Sequence, residues 1–221
     1  MPFSGGIESL PNGTLLLACV AAILYLPMQG RPPSWRRTFA KTAAIGLLAV
    51  LAIIEGGPWL LAAGLALSAL GDAFLAQEGE RPFLAGLASF LAAHLAYIAL
   101  FATASAGFGL IAGEPWRLAL LVLVAGAALI LLRWLMPAVG PALRLPVAAY
   151  VAAILAMMVA AATVRDPVIV IGAALFVTSD AILAIERFLL PEGPPHHRRA
   201  GPAVWMFYVA AQLAITLGVL L

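Results

Sequence analysis

Residues 115–136 read PWRLALLVLVAGAALILLRWLM, and this stretch decides the class of the fold. Between Arg117 and Arg133 it contains no charged or strongly polar side chain. A helix of about 20 apolar residues crosses the roughly 30 Å hydrocarbon core of a bilayer and bonds all its own backbone groups. The stretch therefore predicts a transmembrane α-helix.

The rest of the chain has the same apolar character. Of its 221 residues, 64% are hydrophobic and 10% are charged, and the mean hydropathy is +1.08. Soluble domains have roughly 45–50% apolar and about 25% charged residues. We therefore predict an integral membrane protein and expect it in a bacterial inner (cytoplasmic) membrane.

Similar apolar runs recur along the chain and predict an all-α fold, a polytopic membrane bundle of eight transmembrane helices. The breaks between the runs are short and rich in Gly, Pro and charge. Two of these breaks are predicted at residues 137–141 and 191–202. The whole chain, residues 1–221, is therefore expected to be one integral-membrane domain. The predicted helices cover residues 13–29, 38–54, 58–77, 82–106, 115–136, 144–164, 167–190 and 202–221.

The basic residues divide unevenly between the two faces of this predicted bundle. Two of the twelve, Arg117 and Arg165, fall on the face that holds both termini. Because basic residues are retained on the cytoplasmic side, both termini are predicted to be extracytoplasmic. The other ten fall at the opposite ends of the runs, and they are Arg31, Arg36, Arg37, Lys41, Arg81, Arg133, Arg144, Arg187, Arg198 and Arg199.

An internal similarity links two of the runs. Residues 64–76 read GLALSALGDAFLA and residues 172–184 read GAALFVTSDAILA, which share the pattern G-x-x-L-x-x-x-x-D-A-x-L-A. A parallel four-plus-four duplication is the simplest explanation. A chance match between segments rich in Ala and Leu is the alternative. Each copy places an aspartate, Asp72 or Asp180, near the predicted cytoplasmic end of its run.

Polar side chains inside the spans are the candidate functional residues. Such groups cost several kcal/mol in lipid, so they usually face a bundle interior or a cavity. We expect a pocket that opens toward the cytoplasmic leaflet, with Asp72 and Asp180 as its two carboxylates. The other candidates at overlapping depths are Lys41, Ser68, His94, Tyr97, Tyr150, Ser179, Tyr208 and Gln212.

Simpler structural roles are open for several of these residues. Lys41 could extend its ammonium group to the interface, and His94 with Tyr97 could lock helix packing. Ser68, Ser179 and Thr178 could bond carbonyls of their own helices. The segment from His196 to Arg199 is most simply a basic loop near anionic lipid.

Two carboxylates in a partly dry pocket suit acid/base chemistry. One carboxyl can stay protonated and donate a proton, while the ionised partner activates water. The same pair could serve proton-coupled transport. The single cysteine, Cys19, excludes an internal disulfide, and the three histidines do not form a zinc motif. No basic and aromatic pattern predicts nucleic-acid binding.

The polar motifs together resemble the YhhN-type lysoplasmalogenase family. They are LSALGD at residues 67–72, His94-x-x-Tyr97, and GAALFVTSD at residues 172–180. Lys41, Pro146 with Tyr150, and Gln212 fit the same pattern, so the resemblance covers nearly the whole chain.

The resemblance implies hydrolysis of the vinyl ether bond of lysoplasmalogens, without a metal or an organic cofactor. The products would be a fatty aldehyde and glycerophosphocholine or glycerophosphoethanolamine. One of Asp72 and Asp180 would be the acid, and the other would stabilise the cation and activate water. The remaining polar residues would bind or orient the lysolipid, with Lys41 near its phosphate. Membrane lipids would surround the protein.

The residues leave three alternatives open. The chain could be a small transporter, a hydrolase of another lysolipid, or an accessory protein whose polar residues only hold helices together. A transport pathway needs polar residues in both halves of the membrane. The outer halves of the predicted helices are almost purely Ala, Leu, Val and Ile, which favours a pocket open on one side.

Overall fold

The computed structural model describes residues 1–190 and 194–221, without the side chains of residues 194–199. Over these residues the secondary structure is helical, which confirms the all-α prediction, and an isolated bridge joins Ser105 to Val164. The helices are α1 (Leu10–Tyr25), α2 (Trp35–Ile54), α3 (Trp59–Leu75), α4 (Glu80–Thr103), α5 (Gly109–Gly113), α6 (Pro115–Ala138), α7 (Pro141–Ala162), α8 (Pro167–Phe188) and α9 (Pro194–Leu220), with a short 3-10 turn, Leu26–Met28, after α1.

Seven helices of the described chain are long and apolar enough to cross a membrane, so the protein is an integral membrane protein. They are α1 with its 3-10 turn, α2, α4, α6, α7, α8 and the part of α9 from Ala200 to Leu220. The helix α3 is also apolar but has 17 residues. That length is at the lower end of the roughly 17–25 residues that can span a bilayer. The eight-span count therefore stays a prediction.

Several predicted helix boundaries are wrong by a few residues. Pro137 lies inside α6, although a break was predicted from it. Pro202 lies inside α9, which begins at Pro194 within the predicted break 191–202. Proline needs no amide hydrogen in a first helical turn, so Pro194 and Pro195 suit a helix start. The short helix α5 was not predicted at all. The basic side chains of residues 196–199 lie outside the described residues.

Local sequence explains where other helices begin. The hydroxyl of Ser34 accepts a hydrogen bond from the backbone N–H of Arg37 at 3.3 Å, which caps α2. The carboxylate of Asp166 accepts from the N–H of Val168 at 2.8 Å, and Pro167 follows in the first turn of α8. Both are side chains that satisfy free N–H groups at a helix N-terminus.

The chain divides into two compact units. The first comprises Met1–Leu100 and Gln212–Leu221, and the second comprises Phe101–Ala211. In the first unit, α3 packs closely against α4 through glycines. A Cβ atom added at Gly71 would lie 2.6 Å from the ring of Phe90, and one at Gly64 would lie 2.9 Å from the ring of Tyr97. A side chain at either position would force α3 and α4 apart.

In the second unit, Arg117 joins the start of α6 to the end of α7. Its side chain is 1% exposed. Its guanidinium donates to the carbonyl oxygens of Ala162, Val164 and Arg165 at 3.2, 2.8 and 3.0 Å. The carboxylate of Glu114 accepts a further bond from Arg117 Nε at 2.8 Å. Arg117 therefore caps the C-terminus of α7, a role the sequence analysis did not predict for it.

Candidate functional site

A buried ion pair joins α2 to α3 in the first unit. Lys41 Nζ lies 3.2 Å from Asp72 Oδ1, and the two side chains are 12% and 2% exposed. The ammonium group also lies 5.9 Å from the ring centroid of Tyr25 on α1, within range of a cation–π contact. Lys41 therefore does more than reach for the interface, because its charged end contacts a carboxylate inside the unit.

The approach of α3 to α4 fixes the position of this carboxylate. Gly71, the residue before Asp72, lies directly against the ring of Phe90. One residue earlier on α4, the hydroxyl of Ser89 donates to the carbonyl oxygen of Leu67 at 2.7 Å. The Gly-Asp sequence thus combines a close helix contact with a buried acid in adjacent residues.

A second polar group of the first unit surrounds Tyr97. The Tyr97 hydroxyl donates to Gln212 Oε1 at 2.6 Å and lies beside the hydroxyl of Ser68. Ser68, Tyr97 and Gln212 are fully buried. Three candidate residues that are far apart in sequence are therefore in contact.

His94, one turn before Tyr97, is also fully buried. Its Nδ1 lies 2.6 Å from the carbonyl oxygen of Phe90. Because a carbonyl oxygen can only accept, Nδ1 carries the hydrogen in this contact. This geometry gives His94 a fixed ring orientation.

The second aspartate has a different partner in the second unit. Tyr150 on α7 donates its hydroxyl hydrogen to Asp180 Oδ2 on α8 at 3.1 Å. Asp180 is half-buried. Asp72 thus contacts an ammonium group, whereas Asp180 accepts a hydrogen bond from a phenol hydroxyl.

The neighbours of Asp180 hold α8 against α9. Ser179 donates to the carbonyl oxygen of Val204 at 3.0 Å. Thr178 instead bonds the carbonyl oxygen of Ala174 in its own helix at 2.8 Å, the structural role considered for it. The ring of Tyr208 packs edge-on to Phe176 with centroids 5.5 Å apart, and lies 5.7 Å from that of Trp205.

Each aspartate thus contacts a side chain of the spanning helix that precedes its own. Lys41 lies 31 residues before Asp72 (72 − 41), and Tyr150 lies 30 residues before Asp180. The two separations differ by one residue, and the four-plus-four duplication stays a prediction. The pocket expected from the sequence would draw on residues of both units, so it stays a prediction.

Thr216 is a buried polar residue that was not predicted for the site. Thr216, one turn after Gln212 on α9, is fully buried, and its hydroxyl has no hydrogen-bond partner among the described residues. The i, i+4 spacing from Gln212 was the available signal. Among the described residues, no group of three or more His, Cys, Asp or Glu side chains could hold a metal ion.

The chain matches the model of the YhhN family over residues 36–219. A protein named Lysoplasmalogenase from Mycobacterium tuberculosis is 36% identical over 165 residues, which cover 72% of this chain and 59% of that protein. The chain thus spans about three fifths of the mycobacterial relatives it matches.

Mammalian relatives match over more of their length. Lysoplasmalogenase TMEM86B of Homo sapiens is 34% identical over 210 residues, covering 93% of this chain and 84% of that protein. Lysoplasmalogenase TMEM86A of Homo sapiens is 28% identical over 217 residues, covering 90% and 83%. No solved structure matches the chain.

Proposed function

Because this chain belongs to the YhhN family, we propose that it hydrolyses the vinyl ether bond of lysoplasmalogens. Relatives from bacteria and mammals carry the name Lysoplasmalogenase. The observation that supports the chemistry best is the buried pair of Lys41 with Asp72, an acidic group held inside an apolar bundle. The substrate is a single-chain lipid whose reactive bond lies beside its glycerol backbone.

The reaction adds one water molecule across the vinyl ether. A proton adds to the β-carbon, which gives an oxocarbenium ion at the carbon bound to oxygen. Water attacks this carbon and loses a proton, and the resulting hemiacetal collapses to the fatty aldehyde and the free glycerol hydroxyl. Glycoside hydrolysis passes through a similar cation and uses a pair of carboxyl groups.

Asp72 is the ionised carboxylate in this proposal. The Lys41 ammonium favours the charged form of the acid beside it. A carboxylate of this kind stabilises the oxocarbenium ion and accepts the proton of the attacking water. In the reaction, Lys41 would be a positioning residue that acts through Asp72.

Asp180 then provides the proton. It accepts a hydrogen bond from Tyr150 on α7, which holds the carboxyl group in one orientation. Tyr150 and Ser179 orient Asp180, and the ring of Tyr208 contacts the substrate. Ser68, His94, Tyr97 and Gln212 form the buried polar set that orients Asp72 and the substrate.

Hydrolysis in D₂O tests the chemistry. The purified full chain is incubated with a lysoplasmalogen, and the aldehyde is reduced at once to the alcohol to prevent exchange. We expect one deuterium on the carbon next to the former carbonyl, because solvent supplies the β-proton. An aldehyde without this deuterium contradicts β-protonation. No aldehyde above the level of a protein-free control contradicts the hydrolase and favours a transporter or an accessory protein.

We also propose eight crossings with both termini on the extracytoplasmic side of a bacterial cytoplasmic membrane. The division of ten basic residues against two supports this orientation. The helix α3, with 17 residues, provides the eighth crossing. Labelling of Cys19 and of single cysteines introduced in a Cys19→Ser background, from each side of intact vesicles, tests the topology.

A further inference from the structure

We propose that Arg37 binds the phosphate of the lysolipid substrate. This inference rests on the proposed function, since it assumes that Asp72 acts at the vinyl ether. Lys41 was expected near the phosphate, but its ammonium group already contacts Asp72 at 3.2 Å. A second cation on the same side of α2 is therefore the better candidate for the head group.

Arg37 lies one helical turn before Lys41 on α2. Residues four apart share a helix face and differ by about 6 Å of rise. In a lysoplasmalogen, three glycerol carbons and one oxygen separate the vinyl ether oxygen from the phosphorus, a span comparable with one turn. A substrate with its vinyl ether at Asp72 can thus bring its phosphate to the turn that contains Arg37.

The guanidinium of Arg37 has a donor that the described residues leave without an acceptor. Nη1 donates to the carbonyl oxygen of Arg31 at 3.0 Å, which fixes the side chain against the turn before α2. Nε is buried and has no hydrogen-bond partner among the described residues. A buried donor on a charged group is costly to leave unpaired, so an acceptor from outside the chain is expected.

The connection before α2 contains a second buried donor. Gln29 Nε2 is buried and has no partner in the described part of the chain. Gln29 lies two residues before Arg31, whose carbonyl oxygen holds Arg37. These two donors, one just before α2 and one in its first turn, favour a ligand rich in acceptor oxygens. The Nε–Nη2 edge of arginine matches phosphate with two parallel hydrogen bonds.

Two hydrogen bonds from side chains fix where this turn lies in the first unit. Ser34 caps the N–H of Arg37 at 3.3 Å. In the next residue, the hydroxyl of Thr38 accepts from Gln77 Nε2, just past the end of α3, at 2.9 Å. Arg37 therefore belongs to a turn that is tied to α3, the helix that carries Asp72.

Binding of lipids without a vinyl ether tests the assignment. The ligands are a saturated 1-O-alkyl lysophosphoethanolamine and the 1-O-alkylglycerol of the same chain, which lacks phosphate. Their dissociation constants are measured calorimetrically with the full chain in a nonionic detergent. The variant is Arg37→Gln, and the control is Arg36→Gln. Arg36 is exposed and lies 5.4 Å from the Trp35 ring, so both changes remove one charge from the same turn.

We expect Arg37→Gln to weaken binding of the phosphate-containing lipid about 10- to 100-fold, which is the effect of losing a hydrogen bond to a charged group. Its affinity for the alkylglycerol should not change, which also shows that the variant is folded. Arg36→Gln should change neither. Equal weakening by both variants, or no weakening by Arg37→Gln, overturns the proposal.

Two further ligands separate the substrate phosphate from other anions. Phosphatidylglycerol stands for the surrounding bilayer, and inorganic phosphate stands for a free anion. If Arg37→Gln weakens the binding of either ligand as strongly as it weakens the binding of the lysolipid, Arg37 does not specifically bind the substrate. Because none of these ligands can be hydrolysed at a vinyl ether, the result does not depend on catalysis. Absent aldehyde release with the expected binding pattern would contradict the proposed reaction and leave the phosphate site standing.

Discussion

Lys41 Nζ and Asp72 Oδ1 lie 3.2 Å apart, and the carboxylate is 2% exposed. Removing one partner of a buried pair leaves an uncompensated charge, at a cost of about 3–5 kcal/mol. Lys41→Met should therefore lower the free energy of unfolding by about this amount. Reversible unfolding in mixed micelles measures it.

The double variant provides the control for this ion pair. Lys41→Met with Asp72→Asn removes both charges, so its loss of stability should be smaller than the sum of the two single losses. Strictly additive losses would mean that the two side chains do not interact.

Close packing of α3 on α4 predicts a strong effect at Gly71. Gly71→Ala places a methyl group 2.6 Å from the Phe90 ring, and overpacking costs about 1–3 kcal/mol. Gly126→Ala in α6 is the matched control, because a Cβ there meets nothing within 4 Å. The free energies of unfolding of the two variants are compared. Equal stability would contradict the close approach, and Phe90→Leu should partly rescue Gly71→Ala.

Arg117 is expected to stabilise the second unit without taking part in the reaction. Arg117→Met leaves the carbonyl oxygens at the end of α7 without their donor, and we expect a loss of about 3 kcal/mol or more. Arg165→Gln is the control, since that side chain is exposed. Thermal unfolding monitored by circular dichroism compares them. Similar unfolding temperatures would exclude the capping role.

The same cluster predicts a dependence of stability on pH. The hydrogen bond from Arg117, followed by that from Trp116, holds the pKa of Glu114 below its ordinary value. Because the pKa of Glu114 is lowered in the folded state, its ionised carboxylate stabilises the fold at any pH above the ordinary glutamate pKa. This stabilisation is lost as the pH falls through the lowered value. Unfolding followed between pH 7 and about pH 3 should therefore show a smaller acid loss in Glu114→Gln than in the unchanged chain. Identical curves would contradict the shift.

The sequence predicted the class of the fold and the family, because both depend on local patterns. Long apolar runs are sufficient to predict helices in lipid, and the LSALGD motif can be recognised without knowing which residues are in contact. Helix ends were less predictable, since Pro137 and Pro202 lie inside helices. Proline has no N–H to donate, so the carbonyl oxygen one turn earlier loses its helical partner. A proline is tolerated inside a membrane helix when neighbouring groups donate to that carbonyl instead.

The candidate residues were predicted as a set, but their pairing was not. Periodicity places Ser68 and Asp72 on one face, yet the contact of Lys41 with Asp72 depends on the register between α2 and α3. The bond from Tyr97 to Gln212 joins residues 115 positions apart. Arg117 was predicted only as a residue of the outer face, because its contacts with the end of α7 are to backbone carbonyls, which no sequence pattern displays.

Aldehyde release from a lysoplasmalogen by the purified full chain, with the saturated ether lipid as control, tests the proposed reaction most directly. We predict aldehyde from the vinyl ether lipid only, and a rate lowered by about 10²–10⁴-fold in Asp72→Asn and in Asp180→Asn, the range of acid/base contributions. Circular dichroism and gel filtration verify that the variants are folded. An undiminished rate in both folded variants, or no aldehyde from the unchanged chain, would contradict catalysis by these two carboxylates.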